Sequence, residues 1–324
     1  MGPRDWLLLI LLLSLSISIA LSIVCCLLEN MLSVTMPARI GSLKPRMEDD
    51  TSMDFGLKGK YALVAGGGRG IGKAIARELS REGVDVVIAS RSMDQLEATA
   101  REIEDETGQK VVAMPVDVTD RSQVDQLVDD VVKELGGLHI LVNSASLPGG
   151  SPSAIGAIET VVDEDLLNDF DVKYVGAMRC ARAAIPYLKE QGWGRIVNIS
   201  GANARNAGNL SGGARNGSLV HLTKTLATQL GRFGITVNCV HPGTTRTERT
   251  SILMQNRASE LGVSAEEVEH DDFAFGSPRG NSICRMVDAS EIAFLTTFLT
   301  SDKAWAITGE VIGATGGAGN AVFY

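Results

Sequence analysis

Gly66 to Gly72 read GGGRGIG and lie between a short apolar run, Lys60 to Ala65 (KYALVA), and a stretch from Lys73 to Ser80 with helical periodicity. Glycine permits positive φ and close backbone approach, and a helix N-terminus offers free N–H groups with a partial positive charge. Residues of these types in this order can cradle a pyrophosphate. Glycine also caps and punctuates chains for steric reasons. The strand, turn and helix order around the cluster is what favours phosphate binding.

A turn of this kind needs a sheet behind it. Strand-like runs at VDVVIAS, KVVAMPV, LHILVNS, RIVNIS, ITVNCV and GEVIGA follow the first, and amphipathic stretches such as Gln95 to Glu106 and Val124 to Leu135 alternate with them. That alternation predicts a single-domain, doubly wound α/β fold with a mostly parallel sheet of about seven strands. Roughly 260 residues remain after the first 56, enough to bury a sizeable core. The net charge of −9 gives no support to nucleic-acid binding. Cys25 and Cys26 are adjacent, and Cys180, Cys239 and Cys284 lack metal-ligand spacing, so no metal and a reducing compartment are expected.

Residues 1–30 form an apolar segment, followed by a linker over 31–56 and the folded domain over 57–324. Trp6 to Leu28 carry no charge, a run long enough to cross a bilayer with some tilt. Arg39, Lys44 and Arg46 follow it and only Arg4 precedes it, which places the domain on the cytoplasmic side of a signal anchor. The second reading is a translation start called too early, with the domain beginning near Met53 and lying in the cytoplasm.

The glycine spacing G-x-x-x-G-x-G (Gly66, Gly70, Gly72), Asp117-Val118, LVNSAS at Leu141 to Ser146, GRIVNIS at Gly194 to Ser200 and HPGTTRT at His241 to Thr247 occur in that order. Together they resemble the short-chain dehydrogenase/reductase family from about Leu57 to Gly317. The resemblance implies a Rossmann fold, a nicotinamide dinucleotide and a small-molecule substrate. It assigns the pyrophosphate to Gly66, Arg69, Gly70, Ile71 and Gly72, the adenine to Asp117 and Val118, further cofactor contacts to Asn143 and Asn216, and closure over the nicotinamide to Pro242, Gly243 and Thr247. At the end of the second strand stand Ser90 and Arg91, where a cofactor lacking the 2′-phosphate would call for an acid. Arg91 can grip a 2′-phosphate bidentately, with Arg69 as a second clamp, so NADP(H) is the expected cofactor.

The family's Tyr-x-x-x-Lys pair occurs nowhere in the chain: four residues beyond Tyr61, Tyr174 and Tyr187 stand Ala65, Met178 and Gln191, and Tyr324 is the last residue. Aligned on HLTKTLATQL, the tyrosine position falls on Gly212 and the lysine position on Asn216. The serine position falls on Gly201 and the asparagine position on Asp171. Ser200, Ser211 and His241 are the substitutes nearest these positions. Asn209, Arg215 and Tyr174 stand beside them, and Lys224 lies about two helical turns past Asn216. Each has a plainer role: Asn209 and Ser211 in a glycine-rich loop, Tyr174 in packing, His241 in structure.

Two functions remain open. One is an NADP(H)-dependent oxidoreductase with a non-standard active site, poor toward ordinary ketones. The other is a catalytically inactive NADP(H)-binding protein serving as sensor, partner subunit or scaffold. The segment at about 249–284 corresponds to the family's substrate lid, with Met254, Leu261, Phe273 and Phe275 as apolar contacts. A long helix from Asp163 to Leu188 resembles the family's oligomer contact, implying a homodimer or homotetramer.

Overall fold

A computed structural model describes residues 54–147 and 149–320, all within one compact unit beginning at Asp54. Seven strands form one sheet: β1 (Tyr61–Ala65), β2 (Asp85–Ser90), β3 (Val111–Pro115), β4 (Ile140–Asn143), β5 (Gly194–Ile199), β6 (Ile235–Pro242) and, skipping a small pair, β9 (Val311–Ala314). Their order is β3-β2-β1-β4-β5-β6-β9 and every pairing is parallel. The chain therefore builds outward from β1 in one direction, then reverses to β4. The C-terminal edge at that reversal is where open α/β sheets bind ligands.

Helices cover both faces, which is why the strands are apolar almost throughout. On one face Leu63, Ala65, Val87, Leu141, Ile196 and Val237 pack against α3 (Arg121–Leu135), α5 (Gly176–Gln191) and α6 (Leu210–Leu230). On the other, Ala62, Val64, Val86, Ile88, Val142 and Val240 meet α1 (Gly70–Arg81), α2 (Met93–Thr107) and α9 (Ala289–Thr300). Each fully buried Val, Leu or Ile contributes about 1.5–3 kcal/mol. After β6 come β7 (Thr245–Arg246), α7 (Glu248–Leu261), α8 (Ala265–Phe273) and β8 (Val287–Asp288), with β7 and β8 paired in a small second sheet.

Three sequence expectations need correction. The packed body starts before residue 57, since the Phe55 ring meets Phe298 at 6.5 Å and its carbonyl accepts from Asp302 N. The helix expected over Asp163 to Leu188 is α4 (Asp163–Phe170), a π-helical turn at Asp171–Val175 and then α5, which runs on to Gln191. The stretch containing Ser211, Gly212 and Asn216 is the start of α6 rather than a loop: the Asn209 side chain caps Gly212 N at 2.6 Å and offsets the weak helix propensity of two glycines. No helix among the described residues is long and apolar enough to cross a membrane. The apolar segment at 6–28 and the linker to residue 53 lie outside the described residues.

Candidate active site

The glycine turn joins β1 to α1 at the C-terminal edge of the sheet. Gly66 and Gly70 have φ of +85° and +55°. A Cβ on Gly72 would stand 2.1 Å from the Gly66 carbonyl oxygen, and one on Gly66 would stand 2.6 Å from Ala145 N. Side chains are therefore excluded at these glycines, which leaves backbone alone at the turn leading into α1 and Ile71. Arg69 precedes α1 in extended conformation, and it is exposed.

Beside the turn, Ser90 Oγ is buried without a hydrogen-bond partner. Arg91 is exposed, and neither its side chain nor that of Arg69 makes a hydrogen bond or ion pair among the described residues. Asp117 accepts from the Thr119 amide at 2.9 Å and its hydroxyl at 2.7 Å, which together with nearby Arg91 hold its carboxyl below the usual range. Val118 is a core residue whose carbonyl accepts from Arg179. Asn143 is buried and donates to Asn198 Oδ1 at 2.9 Å, and Asn198 in turn donates to Thr223. Asn143 Nδ2 thus ties β4 to β5 and, through Asn198, to α6, while its Oδ1 is buried without a hydrogen-bond partner. Gly243 N donates to Ala314 O, and Thr247 caps α7. Pro242 ends β6, so His241, expected just beyond the strand, lies within it.

Around the reaction positions the structure brings Gly201, Ser200, Gly212 and Asn216 together. A Cβ on Gly201 would lie 2.7 Å from Asn216 Nδ2, and Ser200 Oγ donates to Asn216 O at 3.0 Å. Asn216 Oδ1 is buried without a partner. Asp171 stands apart, in the π-helical turn, ion-paired with Arg179 at 2.8 Å. Ser211 is fully buried and donates to Asp169 at 2.5 Å. Tyr174 stacks on Phe170, and Lys224 is exposed near Glu310.

Two charged residues, Lys173 and Asp169, matter here beyond those expected, and both interact with Arg215. Lys173 is buried, and its Nζ donates to Ser200 O at 2.9 Å. Burial, reinforced by Arg215, pulls its ammonium down to about 7. The π-helical turn that carries Lys173 is a device frequently found at functional sites. Asp169 is fully buried; its burial opposes ionisation, but the Ser211 hydroxyl, the Ser151 amide and hydroxyl, and Arg215 outweigh it and hold its carboxyl low. Arg215 also donates to Leu147 O at 3.0 Å, tying α6 to the loop after β4. The only sequence signal for Lys173 is a cation two residues past Asp171 in an otherwise apolar stretch.

A scan against protein families matches residues 65–319 to one described as enoyl-(acyl carrier protein) reductase. The chain belongs to the short-chain dehydrogenase/reductase family. Relatives of this reductase family include a putative ketoacyl reductase of Streptomyces coelicolor, 33% identical over 267 residues that cover 81% of this chain and 97% of the relative. The NADPH-dependent reductase BacG of Bacillus subtilis is 30% identical, covering 80% and 97%. L-sorbose reductase from Gluconobacter frateurii, solved with NADPH and L-sorbose, superposes with a TM-score of 0.77 at 28% identity, covering 83% of this chain and all of that one.

His241 is 1% exposed and both ring nitrogens lack hydrogen-bond partners. Burial first, then Arg205 and Lys173, push its imidazole down to about 4, so it is neutral near pH 7. Its native pKa lies below the ordinary unfolded value of about 6.5, so between those limits only the unfolded chain takes up the proton. Stability should therefore fall by about 2–3 kcal/mol as pH drops from 6.5 to 4. Lys173 acts in a separate window, where its destabilisation fades as pH rises from about 7 towards 10.5. Urea unfolding of wild type and His241→Gln across pH 4–7 checks this: the variant should lose less stability on acidification, and identical pH slopes would contradict the assignment.

Proposed function

We propose that this chain is an NADP(H)-dependent oxidoreductase that transfers hydride to a small molecule through a non-standard active site. The observation that carries the reading is the side-chain-free cradle at Gly66, Gly70 and Gly72, at the sheet's C-terminal edge. In this reading α1 holds the pyrophosphate through Arg69, Gly70, Ile71 and Gly72, while Ser90, Arg91 and Arg69 hold the 2′-phosphate. Asp117 and the Val118 backbone border the adenine, and Pro242, Gly243 and Thr247 close the nicotinamide end. Asn143 acts indirectly, by holding the strand ends in register, and Asn216 lines the floor. The bound cofactor supplies the hydride.

The tyrosine and lysine positions hold Gly212 and Asn216, so another group must serve the proton, or the substrate must accept hydride without one at the start. His241, neutral and buried, is a poor acid. Lys173, an amine pulled into the neutral range one carbonyl away from Asn216, is better suited to exchange a proton. An activated alkene or iminium fits this chemistry, since hydride addition to either needs no immediate protonation of an alkoxide; the family description names an enoyl substrate.

The helices α7 and α8, within about 249–284, act as the substrate lid. Phe273 is buried under them, while Leu261 and Phe275 are exposed, Phe275 at 92%. The homodimer or homotetramer contact runs through α4 and α5. The inactive-binder reading draws on the closed network of Asp169, Ser211 and Arg215 beside Gly212. Calorimetric titration tests the cofactor site: NADPH should bind at least about tenfold tighter than NADH, because charge-assisted contacts to one phosphate exceed roughly 1.4 kcal/mol. Equal affinities would sink the assignment of Arg91.

A further inference from the structure

The N-terminus of α1 already holds an anion supplied by the chain itself. Gly70 N donates to Glu248 Oε2 at 3.1 Å, across 178 positions of sequence. Glu248 is the first residue of α7, and the capping box formed by Thr247 and Thr250 fixes where that helix begins. Thr247 presses on the same spot, since a Cβ on Gly70 would lie 3.5 Å from its Cγ2. The segment is pinned from behind: Arg246 bonds Glu269 at 2.5 Å and Asp288 at 3.0 Å, and β7 pairs with β8. The carboxylate is thus held at the α1 terminus by a braced scaffold.

We propose that Glu248 is an intramolecular competitor of the dinucleotide pyrophosphate, a negative determinant of cofactor affinity built into the start of the lid. This rests on the reading of the glycine turn as the dinucleotide cradle. Free N–H groups and the partial positive charge at one helix end attract a phosphate and a carboxylate alike, and two anions there repel each other. When the dinucleotide binds, the Glu248 carboxylate leaves Gly70 N. A cavity of about 320 Å³ beside it receives the side chain, and its lining includes Lys73, Arg77, Glu102, Arg246 and Glu248 itself. Lys73 and Arg77 are paired there with Glu102, and Arg77 also with Glu106, so the displaced carboxylate shares these cations with the acids already present. Because Glu248 begins α7, cofactor binding and the setting of the lid are coupled through one side chain.

The test is calorimetry of the full chain and its Glu248→Gln variant with two probes, NADPH and adenosine 2′-monophosphate, which keeps the 2′-phosphate but has no phosphate on the 5′ side. Glutamine can still accept from Gly70 N, so the variant removes charge and little else. It should bind NADPH about three- to fivefold tighter, the size expected for one carboxylate at a solvent-exposed helix end, and bind the monophosphate unchanged. Unchanged NADPH affinity, or equal gains for both probes, overturns the competition while leaving the cofactor reading in place. Failure of wild type and variant alike to bind NADPH overturns both. Because the two probes are compared on the same folded sample, a general loss of stability in the variant cannot imitate the expected pattern.

Discussion

Simple ketones and β-ketoesters should be reduced about 10²- to 10⁴-fold more slowly than by a reductase with a positioned general acid, the usual cost of removing such a group. On the proposal that Gly212 and Asn216 occupy the tyrosine and lysine positions, no phenol or ammonium stands there to protonate an alkoxide. The gain-of-function partner to this experiment combines Gly212→Tyr, Asn216→Lys, Gly201→Ser and Asp171→Asn. A Cβ on Gly212 would meet Asn203 Nδ2 at 2.8 Å, the end of a side chain that can turn aside, and Asn209 Cγ at 3.0 Å, whose movement would weaken the cap on α6. The contact at Gly201 is with Asn216 Nδ2, which the lysine replaces. The quadruple variant should therefore exceed wild type on ketones, measured as NADPH oxidation at 340 nm under saturating cofactor. Wild-type turnover at rates ordinary for the family would mean that the position assignments are wrong, and Lys173→Met and His241→Ala would then identify the proton carrier.

Arg91→Asp should reverse cofactor preference. The arginine contributes charge-assisted hydrogen bonds to a 2′-phosphate, whereas an aspartate repels that phosphate and accepts from a ribose 2′-hydroxyl. A preference of about tenfold for NADPH should become one of about tenfold for NADH, a change of about 2.8 kcal/mol in the difference. Folding should hardly respond, because Arg91 is exposed and makes no hydrogen bond or ion pair among the described residues. Parallel loss of affinity for both cofactors would place the 2′-phosphate elsewhere, with Arg69 as the next residue to change.

The sheet was legible because both its faces are covered, so each strand is a mostly apolar run and the helical connections carry helical periodicity. All seven expected strands occur, in an order set by the parallel crossovers. The glycine turn was legible for a different reason: its spacing is dictated by an approach so close that a Cβ on Gly72 would stand 2.1 Å from the Gly66 carbonyl oxygen. What stayed hidden depends on contacts between distant segments. Gly212 reads as loop until Asn209 is seen capping a helix, and nothing local announces the bond from Asn143 Nδ2 to Asn198. Lys173 reads as a surface charge until the π-helical turn rotates it under Ser200. The pairing of Glu248 with Gly70 has no local signal at all.

The most direct measurement of the central claim is deuteride transfer. Wild-type protein is incubated with NADPH carrying deuterium at the transferring position of the nicotinamide, and with a panel of activated alkenes, iminium ions and ketones; products are read by mass spectrometry. The account expects deuterium in the product of an alkene or iminium substrate and very little in the ketone products. Tight NADPH binding with no transfer to any member of the panel would contradict it and leave a nucleotide-binding protein without redox turnover.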